Sequence, residues 1–172
     1  MEIKFNSTFK TLLDKYNLPV DLSFQVDLPT EVQQQLSDEI IINEFGLGLE
    51  SNWEPYLYGK SDEQSFHEDN ENHFHVDWYI DNITDKKAFE LGVKTLVELA
   101  RRFQNENINN VQLTYSFQTP EMGQIQAKEN NIDDDEHLIS DRLSFHTKRP
   151  GQIVVDNSLF NNKHFAFLTI DL

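Results

Sequence analysis

From His73 to Gln118 the apolar residues run with a period of two, then 3.6, then two again. A chain with that pattern is predicted to form a strand, a helix and a second strand. Phe74, Val76, Trp78 and Ile80 alternate against His73, His75, Asp77 and Tyr79. Thr84 then caps a helix from Asp85 to about Asn105, with Asp85 near the positive end of its dipole and Arg101 and Arg102 near the negative end. Phe89, Val93, Leu96, Ala100 and Phe103 form the stripe it buries. Val111, Leu113, Tyr115 and Phe117 set the inner face of the returning strand, and the unit has the length of a crossover.

The flanking segments add short elements. The spacing of Phe9, Leu12, Leu13 and Tyr16 predicts a helix over Thr8 to Tyr16 capped by Ser7 and stopped by Pro19. Val20 to Leu28 alternates as a half-exposed strand, Pro29-Thr30 opens a short helix through Val32 and Leu36, and Ile40-Ile41-Ile42 reads as a strand leading to Gly46-Leu47-Gly48. Trp53 to Tyr58 reads as an edge strand because of Pro55. Two long polar segments, Gly59 to Asn72 and Thr119 to Ser140, read as loops; Arg142 to Lys148, Gln152 to Val155 and Lys163 to Leu172 read as the last strands. The expected fold is a single α+β domain over residues 1–172. It has a mixed, mostly antiparallel sheet of about five to seven strands, with the long helix and one or two short N-terminal helices packed on one face.

Composition narrows the function classes. The formal net charge of −16 repels nucleic acid and anionic membrane surfaces and attracts basic partners. The absence of cysteine removes thiol catalysis, disulfides and thiolate zinc sites. No apolar stretch is long enough for a signal peptide or a membrane span, so a soluble cytoplasmic protein is expected. The frequent Asn, Ile, Lys and Phe suit an AT-rich bacterial genome.

Motifs for chemistry are scarce. No serine sits in a nucleophile elbow, and Gly46-Leu47-Gly48 lacks the third glycine and the lysine of a phosphate loop. His73 and His75 lie on one strand face about 7 Å apart, where His67, Glu68, Asp69 or Glu71 would have to complete a metal site. Two imidazoles on the wet face of a sheet need no metal, and neither metal nor cofactor is expected.

The carboxylates are concentrated instead. Residues 61–71 carry five and residues 129–136 carry five, neither group with the spacing of a calcium loop. Acidic loops on a rigid sheet suit a strongly basic surface, with Trp53 and Phe66 as aromatic anchors inside an acidic rim formed by Asp62, Glu63, Glu68, Asp69, Glu71, Asp133, Asp134, Asp135 and Glu136. In size and acidity the whole chain resembles bacterial immunity proteins and other nuclease inhibitors. That resemblance implies a non-enzymatic inhibitor covering the basic active-site cleft of a nuclease-like toxin. The alternatives are a small metal-dependent hydrolase using His73 and His75, and an acidic adaptor subunit.

Overall fold

The computed structural model describes residues 1–44, 46–51, 63–132 and 139–172. The proposed edge strand at Trp53 to Tyr58 lies outside them. The fold is α+β, with a four-stranded and a two-stranded sheet, both antiparallel. Its elements are β1 (Glu2–Phe5), α1 (Ser7–Tyr16), α2 (Thr30–Ser37), β2 (Ile40–Asn43), β3 (Gly46–Leu49), α3 (Gln64–Glu71), α4 (Asp85–Asn105), β4 (Val111–Gln118), α5 (Pro120–Glu129), β5 (Ser140–Thr147) and β6 (Ala166–Asp171). The large sheet has the order β1-β6-β4-β5, and β2 pairs with β3 in the small one. Among the described residues no helix is long and apolar enough to cross a membrane.

The long helix and its returning strand form as the sequence predicts, for local reasons. The Thr84 hydroxyl accepts from the Lys87 N–H, and alternate β4 residues Val111, Leu113, Tyr115 and Phe117 are buried. Against them pack Leu143 and Phe145 of β5 and Ala166, Leu168 and Ile170 of β6, in register on the same sheet face. Phe89 of α4 meets Phe9 of α1 at 4.9 Å and Phe117 at 5.4 Å between ring centroids, so α1 and α4 share that face. A Cβ at Gly92 would overlap the Tyr115 phenol, so the missing side chain is what lets the ring lie against the helix. Leu96 is fully enclosed. Leu96→Ala is expected to lower stability by about 2–5 kcal/mol in urea unfolding; a loss under about 0.5 kcal/mol is a surface value and would show that this face of α4 is not core.

Several elements differ from the expectation. Asn6, not Ser7, caps α1, accepting from the Phe9 N–H at 2.8 Å. The first strand, β1, pairs with β6 although the sequence suggests no strand there. Residues 20–28 form no strand. Asp21 accepts from the Ser23 N–H, Leu22 turns left-handed at φ 59° and the Phe24 N–H bonds back to the Leu22 carbonyl, so local bonds replace a ladder. Leu22 and Phe24 are nevertheless buried, as the alternation requires. The segment after Thr119 is not a loop throughout: the Thr119 hydroxyl caps α5 with Pro120 in its first turn. Gln152 to Val155 makes one bridge, Arg149 to Gln152, and leaves Ile153 exposed.

The strand expected at 73–80 shrinks to a single antiparallel bridge between Phe74 and Leu143, followed by a 3₁₀ turn at Asp77–Tyr79. Phe74 and Val76 are buried as expected, whereas Trp78 is 72% exposed rather than part of the core. The bridge still makes this stretch the first arm of the crossover, parallel to β4 with β5 between them.

The expected loop at 59–72 contains α3, and this helix closes the free edge of β5. Ser65, Glu68 and Asn72 are all buried, at i, i+3 and i+7. The Thr147 N–H donates to Glu68 Oε2 (2.5 Å), Ser65 Oγ donates to the Thr147 carbonyl (2.7 Å), and Asn72 Nδ2 donates to the Phe145 carbonyl (3.4 Å). With Leu143 paired to Phe74 in both directions at 3.0 Å, these contacts occupy edge backbone groups of β5 that would otherwise template another strand.

Candidate functional site

Two constellations flank β5. The first is built on α3. Glu68, 0% exposed, accepts from the Leu47 N–H (2.9 Å) and the Thr147 N–H and pairs with the two terminal nitrogens of the Arg149 guanidinium, Nη2 and Nη1, at 2.5 and 3.0 Å. The neighbouring Asp69 receives Arg142 Nη2 at 3.0 Å and Ser144 Oγ at 2.6 Å. Burial alone would raise the Asp69 pKa, but the His146 ring 3.5 Å away, the Arg142 charge and the Ser144 hydrogen bond together hold it below the ordinary value. A buried, fully engaged Glu68 is not available to a partner at the surface, which corrects its place in the acidic rim. Asp69 is likewise committed to the fold. Glu63 is exposed, Glu71 is half-buried, and Phe66 is 45% exposed, so these three do reach the surface. Trp53, Asp62, Asp133, Asp134, Asp135 and Glu136 lie outside the described residues.

The second constellation lies at the 3₁₀ turn. Asp141 falls in phase with Leu143 and Phe145 on the apolar face of β5 and is fully buried. The Val76 N–H donates to both of its oxygens, at 3.0 and 3.3 Å. Asp77 faces it from the turn, and His75 Nδ1 stands 3.8 Å from Asp141 Oδ1. Donor atoms of His75, Asp77 and Asp141 all lie within 4.8 Å of one another.

Burial, and then the adjoining Asp77 carboxylate, push the Asp141 pKa up, which favours its protonated form. Burial also lowers the His75 pKa, disfavouring the charged imidazolium. The Tyr115 hydroxyl is buried without a hydrogen-bond partner among the described residues; desolvation, then the charges of Asp141 and Asp77, push its pKa upward. Asp77 Oδ1 is buried and likewise lacks a partner there. Over the group lies Trp78, its indole stacked on the His75 ring at 4.2 Å and 15°.

His73 and His75 meet edge to face at 5.7 Å, but they have different partners. His73 Nδ1 contacts the Asn70 carbonyl, while His75 turns to the two aspartates. Sequence reasoning thus finds His75 and misses Asp77, Trp78 and Asp141. One signal was available: the alternation Asp141, Leu143, Phe145 places a carboxylate where an apolar residue belongs.

A cleft of about 280 Å³ opens near Ser116, Gln118, Gln126, Arg142 and Phe167, but none of the trio lines it. Its one cationic side chain, Arg142, is already held by Asp69. The arrangement therefore combines an exposed aromatic ring, a half-buried imidazole beside a buried carboxylate, and heavy negative charge. No protein-family model, no curated protein and no solved structure matches the chain.

Proposed function

We propose that this chain is an acidic, non-enzymatic binding protein of the bacterial cytoplasm that neutralises a basic nuclease-like toxin by covering its active-site cleft. The observation that carries the reading is Trp78. A tryptophan 72% exposed, yet fixed by stacking on His75, is a preorganised anchor, and tryptophan is prominent among residues that dominate interface energies. Asp81 beside it is exposed, as are Phe66 on α3 and Glu63 at the cap of that helix. The net charge of −16 would steer a basic partner onto such a surface and disfavour nucleic acid itself.

The test uses the basic protein captured from the native cell by the full chain, followed by binding kinetics and inhibition of its nuclease activity. Trp78→Ala is expected to weaken the complex by about 2 kcal/mol or more, roughly 30-fold, mainly through faster dissociation. Glu63→Lys is expected to slow association at low salt and to lose that effect at high salt. Wild-type kinetics in both variants would remove this surface from the interface, and a captured partner that is not basic would overturn the electrostatic reading.

A further inference from the structure

We propose that His75, Asp77 and Asp141 form a binding site for a divalent cation of the zinc class. One imidazole and two carboxylates are a donor set that suits a borderline transition metal better than magnesium or calcium, which take oxygen ligands almost alone. The three donors already converge within 4.8 Å. Convergence of acids is not itself a site, since a shared proton also holds two carboxyls together. A second observation separates this group from an ordinary carboxyl pair: the Tyr115 hydroxyl, outside the trio, is buried without a partner among the described residues. Tyr115 is fully enclosed and stands on the same buried sheet face as Asp141, one diagonal step from it across the Tyr115–Leu143 and Phe117–Asp141 pairs of β4 and β5. Buried polar atoms of this kind call for an occupant that satisfies them.

The framework around the donors is also that of a ligand shell. The Val76 N–H fixes the Asp141 carboxyl by bonding both oxygens, the kind of outer contact that orients a metal-binding group. His75 and Asp77 belong to the bridge and turn that carry Trp78, whereas Asp141 belongs to β5. A cation would therefore tie the turn to the sheet and hold the His75 ring on which Trp78 stacks. The inference goes beyond the binding function proposed above, and either can fail without the other.

Zinc is titrated into the chelator-treated full chain by calorimetry, while side-chain nitrogen spectra of the histidines are recorded in parallel. The expected result is one saturable site, with the zinc-dependent nitrogen shift confined to His75. Asp141→Asn, which keeps an acceptor for the Val76 N–H, and Asp77→Asn are each expected to weaken zinc about 100-fold or more. His73→Ala is expected to bind as wild type does. Absence of saturable binding in the wild-type protein would overturn the proposal regardless of how the variants fold. Binding that survives both aspartate changes, or that is lost with His73, would place the metal elsewhere and overturn it as well.

Discussion

Arg149→Ala is expected to destabilise the fold by about 3–5 kcal/mol, because it leaves the Glu68 carboxylate buried without its counter-charge. Glu68 is 0% exposed and its guanidinium partner is mostly covered, so little water is present to screen the loss. The carboxylate also accepts the backbone N–H groups of Leu47 and Thr147, and Gly46, at φ 137°, lies against it with no room for a Cβ. One side chain thus joins α3 to β3 and to the edge of β5. Urea unfolding of Arg149→Ala, Glu68→Gln and the pair together measures the coupling. The double variant should be more stable than Arg149→Ala alone, since a neutral amide needs no counter-charge. A loss below about 1 kcal/mol in Arg149→Ala would mean that water reaches Glu68 after all, as at a surface ion pair.

That ion pair also shows why part of the fold was hidden in the sequence. Ser65, Glu68 and Asn72 have the spacing of a helix stripe, but all three are polar, so the segment reads as a solvated loop. The stripe is polar because it covers backbone groups of β5 rather than apolar side chains. By contrast α4 and β4 were legible because cap, dipole charges and apolar period all agree within the segment itself. Residues 20–28 show the limit of periodicity. Alternation correctly places Leu22 and Phe24 inside, yet it carries no information on whether a neighbouring strand exists to complete a ladder.

Trp78 is the same limit seen at the candidate site. It sits in phase with Phe74 and Val76, and the phase breaks only because the chain turns into a 3₁₀ segment after a single bridge. Asp141, far along the chain, is brought to that turn by β5, and only the tertiary structure makes the contact. The acid-rich runs invited a purely surface reading. Two of the nominated carboxylates, Glu68 and Asp69, are instead held inside by arginines. Charge concentration in a sequence therefore marks both partner surfaces and internal pairing, and only burial separates them.

In metal-free protein Asp141 should make the fold lose stability as pH rises. Burial, followed by the hydrogen bond and charge of Asp77, raises its pKa from the ordinary 3.8 to about 9. The native state therefore keeps a proton that the unfolded chain releases near pH 4, and proton binding favours the native state. The stabilisation is complete below that point, falls as pH rises above it, and is gone above the folded pKa of about 9. One retained proton gives a slope of at most about 1.4 kcal/mol per pH unit. Asp69 acts in the opposite sense: its lowered pKa stabilises the fold at neutral pH, and that contribution disappears as pH falls through it. The facing groups are Asp77, His75, whose own pKa is lowered by burial, and the Tyr115 hydroxyl, with Arg142 adding positive charge nearby. Asp141→Asn removes the titrating group while its amide still accepts from Val76 and donates toward Asp77. Urea midpoints measured in chelator from about pH 5 to about pH 8 should fall more steeply in the wild type than in Asp141→Asn. Parallel profiles would show that native Asp141 is already ionised in this range, since a group with the same protonation in both states contributes no such slope.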